Sequence, residues 1–279
     1  GLWVAPWGDE DAKWAGRKLD GWRAQLGPYK NNHPELKVGR NGGYDLALPG
    51  FLQWQRETFQ RICRQWGYGY IKADFLTWSG DKSRGRNRTA HQVYRDALRA
   101  MRDGMGRDVY FMTCISPEFK CIGIADAQRI GNDVSSSWKG IAPTIKTIAR
   151  KYYFHNNMFI NDPDQYHVGK GVTLAQARAW ASVVALSGGV TLTGDNLMQL
   201  KPERVDIIRK VCPSYGVAAR PLDLFDVHDG HPDRSASIYA LKVEKPSCYA
   251  KPGLVMQRPV WFVIGLFNWR AQPVRRRVD

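Results

Sequence analysis

The sequence predicts an α/β protein: a parallel sheet of repeated βα units, read as a barrel to about residue 218, with a β-rich domain after it. Three observations predict this. Short segments rich in β-formers recur along the chain, and stretches with helical spacing lie between most of them. After Arg220 the pattern changes to strands separated by turn residues, as in antiparallel sheets.

The β-forming segments are, in order, GLWVAPW (1–7), YGYIKADF (68–75), DVYFMTCIS (108–116), AQRIGNDV (127–134), NMFINDPD (157–164) and GVTLTGDN (189–196). Phe51 to Trp66 follows a Pro-Gly start and repeats apolar residues every three or four positions, which predicts a helix. Residues 90–101, 143–153, 173–186 and 202–211 read the same way; Thr173 suits an N-cap and Pro202 a helix start. Residues 117–126 form a short, glycine-containing connection, so one helix is reduced there. SIYALKV (237–243) and PVWFVIGLFNW (259–269) read as antiparallel strands. The expected division is a barrel portion over 1–218 and the start of a β-sandwich domain over 219–279.

With 279 residues, 43% of them apolar and 12% aromatic, the chain can bury a large core. It has no apolar run of about 18 residues, so no membrane span is expected, and residue 1 already reads as part of a strand, not a signal peptide. The formal charge of +15 is spread among acids, as in KSRGRNR, without a zinc-finger, homeodomain or RNP pattern. A solvated basic surface is expected, with no nucleic-acid partner. Five cysteines (63, 114, 121, 212 and 248) lack metal-ligand spacing, and their odd number argues against a complete disulfide framework. Only His228 and His231 lie close together; with Asp226, Asp229 and Asp233 around them they read as a solvated turn, so neither metal nor cofactor is expected.

In a parallel α/β barrel, residues at the carboxyl ends of the strands share one mouth. Here those ends carry Trp7, Lys72 with Asp74, Cys114 with Ser116, Arg129 with Asp133, Asp162 with Asp164, and Asp195. A carboxylate after a strand ordinarily starts a turn or caps a helix. Lys72 differs: it lies inside its strand, two residues from Asp74 and therefore on the same pleated face, and a lysine buried there needs a partner. Arg129 and Asp133 form a second ionic set, with donors suited to hydroxyl-rich or anionic ligands. Two carboxylates, a lysine, an arginine and nearby tryptophans suit glycoside cleavage. One carboxylate meets the oxocarbenium-like carbon while the other, protonated, donates to the leaving oxygen. Trp3 and Trp7 could stack on the apolar side of a sugar ring or simply fill the core. No GxSxG, HExxH, GxGxxG or Walker pattern competes.

Taken in order, GLWVAP, YIKADF, RIGNDV, INDPDQYHVG and SGGVTLTGDNL followed by ARPLDLF resemble the α-galactosidases of glycoside hydrolase clan D, family 36, with similarity to family 27. The likeness runs from residue 1 to about Trp269. It implies a (β/α)8 (TIM) barrel followed by an antiparallel β domain, a retaining double displacement and an α-galactoside oligosaccharide or glycoconjugate as substrate. The aspartate of the KxD motif, here Asp74, is then the nucleophile, and Asp133 the acid/base. Lys72 and Arg129 bind sugar hydroxyls, Cys114 lies near the sugar's 2-position, and Asp162 and Asp164 support the site. Lys72 would favour the ionised form of Asp74. Burial would keep Asp133 protonated, and retention would set the two carboxyl groups roughly 5 to 5.5 Å apart.

The chain departs from this pattern. GLWVAPW matches the third barrel strand, so the barrel is incomplete in this chain (strands 3 to 8) and the aspartate pair that grips the 4- and 6-hydroxyls is absent. An open barrel of six strands exposes two unpaired edges, so a piece of a longer enzyme is expected. The same clan chemistry also admits an α-N-acetylgalactosaminidase or a raffinose-synthase-like transglycosylase, and an incomplete barrel admits an inactive sugar-binding fragment. The loop after Cys114 and the insertion from Gly8 to Pro49 would decide between sugars and acceptors.

Overall fold

The computed structural model describes residues 46–74, 76, 88–226, 235–244, 260–270, 273 and 275. GLWVAPW, with Trp3 and Trp7, lies outside the described residues, as do His228 and His231. The chain packs as two compact units, Gly1–Gln128 and Arg129–Asp279, taken here in turn.

In the first unit, α1 (Pro49–Gln60) starts on a proline, which needs no N–H partner in the first turn, and runs on into a π-helical turn, Arg61–Gln65. The short strand β1 (Tyr70–Ala73) follows. Helix α2 (Ala90–Met105) begins in a reciprocal capping box between Thr89 and Gln92. It buries Val93, Tyr94, Ala97, Leu98, Ala100, Met101, Gly104 and Met105, the three-and-four spacing of one helix face. Gly104 is required there, because a Cβ at that position would sit 2.2 Å from the Arg56 carbonyl oxygen of α1. Strands β2 (Tyr110–Thr113) and β3 (Ala127–Arg129) flank the single-turn helix α3 (Glu118–Cys121), the reduced helix expected from the short connection.

The pairing is parallel: Tyr70 to Ala73 of β1 face Tyr110 to Thr113 of β2 in register, and Met112 and Thr113 face Ala127 and Gln128 of β3. Phe111 and Met112 are both fully buried, so β2 is covered on both faces, as parallel strands usually are. Arg102 ties α2 to the sheet, donating to the carbonyls of Val109 (2.7 Å) and Ile124 (2.9 Å) and to Asp126 (2.7 Å). The same Asp126 oxygen accepts the Phe111 N–H at 2.7 Å.

In the second unit, α4 (Trp138–Arg150) starts five residues earlier than the sequence pattern predicts. The Ser137 side chain accepts the Gly140 N–H, so the cap sets the start and Pro143 is carried inside the helix. Then come β4 (Ile160–Asp162), β5 (Gln165–Tyr166), α5 (Leu174–Leu186), β6 (Leu192–Thr193) and α6 (Pro202–Val211). Thr173 caps α5 in a capping box with Gln176, and Pro202 opens α6, as predicted. The Ile130 N–H bonds the Asp162 carbonyl at 3.0 Å, which sets the end of β4 beside the residue that follows β3. β5 pairs with β6 in parallel. Ile141, Ile145 and Ile148 of α4 and Trp180, Val183 and Val184 of α5 are buried, each aliphatic side chain contributing about 1.5–3 kcal/mol.

The antiparallel sheet expected after Arg220 is present. β7 (Arg220–Pro221) pairs with β8 (Ile238–Glu244), and β8 pairs along its whole length with β9 (Val260–Leu266). Tyr239, Leu241 and Val243 alternate inward from β8, the period of a half-buried strand. Among the described residues the strands form three sheets and do not close into a ring.

Candidate active site

The carboxyl end of β1 carries Lys72 and Asp74. Burial alternates along β1, with Tyr70, Lys72 and Asp74 exposed and Ile71 and Ala73 half-buried, so the two charged residues share a face as expected. The expected burial of Lys72 is not observed. Among the described residues β1 pairs with β2 alone, and the face bearing Lys72 is its open one.

Cys114 follows β2 and donates its N–H to the Ala73 carbonyl at 2.8 Å, which places the buried cysteine level with the end of β1. The next residue, Ile115, has φ 44°, a left-handed conformation that costs a β-branched residue about 1–3 kcal/mol. A buried polar network holds the turn. Gln128 Nε2 donates to the Ser116 carbonyl (3.1 Å), and Tyr94 Oη meets Ser116 Oγ at 2.7 Å. Thr113 Oγ1 and Cys121 Sγ both donate to Gln128 Oε1. Burial pushes the Cys121 thiol up to about 11, so it remains a hydrogen-bond donor and not a nucleophile. Burial likewise raises Tyr94, partly offset by its bond to Ser116. Gln128 lies between Ala127 and Arg129 in β3, and its buried amide must find partners. None of the four described cysteines (63, 114, 121 and 212) forms a disulfide.

The second unit holds the other ionic set. The Arg129 side chain is 5% exposed and lies between two carboxylates, 2.6 Å from Asp133 and 2.8 Å from Asp164. Asp164 is 11% exposed and also accepts the Val134 N–H at 2.7 Å. Its own N–H bonds Asp162 Oδ1 (2.8 Å), and its φ of 74° turns the chain out of β4. Arg129, Asp133, Asp162 and Asp164 are thus one connected cluster, and Asp164 touches Arg129 directly. Asp133, expected to be buried, has a side chain 88% exposed. It stands four residues beyond the end of β3, on the connection to α4, where the buried partner is the arginine.

Asp195 accepts the N–H groups of Val168 (2.6 Å) and Gly169 (3.1 Å), so it organises the segment after β5. His167, which sequence reasoning passed over, is buried with Nδ1 3.6 Å from Asp195 Oδ1, beyond hydrogen-bond range. No group of three or more His, Cys, Asp or Glu side chains suited to a metal ion occurs among the described residues. No described helix is long and apolar enough to cross a membrane.

No protein-family model matches the chain. Several solved structures resemble its fold. An α-galactosidase from Thermus thermophilus, in complex with p-nitrophenyl α-D-galactopyranoside, aligns with TM-score 0.56 at 19% identity over 66% of this chain and 43% of its own. A family 27 β-L-arabinopyranosidase from Geobacillus stearothermophilus gives TM-score 0.55 at 14% identity, covering 74% of this chain and 49% of its own. An α-galactosidase from Saccharomyces cerevisiae, with raffinose, gives 0.51 at 19%, covering 69% and 49%. The chain spans less than half the length of each of these structures. At such identities the likeness establishes a shared α/β fold of the family 27 kind, and no particular affiliation with family 36.

Proposed function

We propose that this chain carries the catalytic centre of a retaining glycoside hydrolase acting on terminal α-linked galactose. The carrying observation is the buried Arg129 bracketed by Asp133 and Asp164, on a fold shared with α-galactosidases. The ordered motifs add family 36 as the nearer relative. On this reading the parallel strands belong to a (β/α)8 barrel, residues 1–218 are its catalytic portion, and 219–279 begin a C-terminal β-sandwich domain.

The mechanism follows from the side chains. Asp74 attacks the anomeric carbon as Asp133 donates a proton to the glycosidic oxygen; the carbon–oxygen bond breaks and a glycosyl-aspartate forms. Water then attacks the same carbon, Asp133 takes its proton, and the Asp74 carboxylate leaves. Lys72 and Arg129 hold sugar hydroxyls, Cys114 lies by the 2-position, and Asp162 and Asp164 support the cluster. The substrate is an α-galactoside oligosaccharide or glycoconjugate; α-galactosidases of this fold have been captured with stachyose and raffinose.

The arabinopyranosidase on the same fold motivates a second reading of the sugar. β-L-Arabinopyranose has the ring configuration of α-D-galactopyranose without the hydroxymethyl group, so one catalytic pair serves both.

The deciding experiment measures turnover of p-nitrophenyl α-galactoside and β-L-arabinopyranoside. Asp74→Gly is expected to lower kcat by roughly 10⁴-fold or more, the scale of a lost nucleophile, with azide restoring turnover as the β-glycosyl azide. Azide rescue at Asp133 should instead give the α-glycosyl azide, the mark of the acid/base, whereas a β-azide from the Asp133 variant would exchange the two roles. A parent chain active on either glycoside but indifferent to both substitutions refutes the site assignment.

A further inference from the structure

We infer that Arg204 and Gly171 are positioning residues for Asp133, acting through the segment 168–172; the inference rests on the acid/base role proposed for Asp133. The stretch that presents Asp133 is held at successive residues. Val134 gives its N–H to Asp164 (2.7 Å), and its carbonyl faces Gln165 Nε2 at 3.5 Å. Two residues on, the Ser136 carbonyl abuts Gly171, where a Cβ would sit 1.8 Å from the Ser136 oxygen. Gly171 has φ 97°, so both its backbone conformation and the space around it require glycine.

The segment bearing Gly171 is itself clamped from both sides. Arg204, in α6, donates to the carbonyls of Val168, Gly169 (2.9 Å) and Val172 (3.0 Å). Asp195 takes the N–H groups of Val168 and Gly169. A guanidinium on the carbonyls and a carboxylate on the amides fix this short segment without any regular secondary structure. The fixed segment then forms a wall against Ser136. Asp133 itself is exposed and gains no rigidity from burial, so the direction of its carboxyl group depends on that wall and on Arg129.

The chemistry makes this testable. A proton donor displaced by about 1 Å can lose on the order of 10²-fold in rate, but only where the leaving group needs its proton. Arg204→Met is expected to lower kcat/KM on raffinose by roughly 10- to 100-fold while changing it less than about threefold on dinitrophenyl α-galactoside, whose leaving group departs unaided. Arg204→Lys, which keeps one donor, should recover part of the loss. Gly171→Ala should reproduce the pattern. In parallel, amide hydrogen exchange over residues 133–137 should accelerate in Arg204→Met and Gly171→Ala.

Selective loss on raffinose with faster exchange upholds the inference. Equal loss on both substrates, or unchanged exchange at 133–137, overturns it. A parent chain inert toward both substrates overturns the hydrolase reading instead, and the exchange data alone then decide whether the brace exists.

Discussion

Lys72 and Arg129 occupy comparable places, each at the carboxyl end of a parallel strand and each close in sequence to an aspartate, yet their surroundings are opposite. Lys72 is exposed on the open face of β1. Arg129 is almost completely enclosed and answers two carboxylates at once. A buried charge survives only when paired and hydrogen-bonded, so Arg129 is a requirement of the fold as well as of any chemistry. The exposed lysine carries no comparable structural obligation. Cations read as a matched pair from the sequence therefore have different physical meanings.

Removing the buried member should have the largest effect on stability. Arg129→Met leaves Asp164 enclosed without its cation and should destabilise by about 3–5 kcal/mol, the scale for breaking one side of a buried ion pair. Asp164→Asn in the same background should recover part of that loss by removing the uncompensated charge. Denaturant unfolding of the single and double variants measures both. Additive losses would show that the two groups are not coupled and would dissolve the contrast with Lys72.

A second contrast appears on acidification. In the second unit His155 is buried; its Nδ1 accepts the Asn161 N–H (3.2 Å), which leaves Nε2 to donate to the Gly216 carbonyl (3.1 Å). Burial holds its pKa below the ordinary 6.5, against the opposing pull of the Gly216 bond. Below pH 6.5 the unfolded chain takes up a proton that the folded chain refuses. Stability from this group is therefore full above that pH and declines as pH falls toward the folded value. In the first unit the Arg64 hydrogen bond lowers Asp108 to about 2. The contribution of Asp108 is present above its ordinary 3.8 and is lost only as pH falls from there toward 2. That pair is exposed, so its share is small and salt-sensitive. Hydrogen exchange followed by unit from pH 7 to 4 should loosen the second unit first, and His155→Gln should remove that early loss. A second unit that still loosens first in the variant would assign the pH response to other groups.

Which features could be read from the sequence follows the same physics. Helices α5 and α6 are set by local signals, the Thr173 cap and Pro202, and both begin where those signals place them. The start of α4 was hidden because Pro143 resembles a helix opening, whereas the Ser137 cap lies upstream of it. The shared face of Lys72 and Asp74 follows from the strand period; its exposure depends on what β1 packs against, which no local pattern records. Gln128, Arg204 and Asp195 act on groups 12 to 36 residues away along the chain. Their partners exist only once the fold has formed. The NDPD run did point to Asp164, but not to its direct contact with Arg129.

The smallest stability effect belongs to Lys72. A substitution at an exposed position usually changes stability by less than about 0.5 kcal/mol, so Lys72→Met should unfold close to the parent. If Lys72 holds a sugar hydroxyl, the same substitution should still lower kcat/KM by roughly 10²-fold, the order expected on losing one charged group near the reacting carbon. Arg129→Met should fail in both measurements, whereas Lys72→Met should fail only in the second. A Lys72→Met protein as active as its parent would remove the lysine from the chemistry and leave Arg129 as the cation on which the proposed site depends.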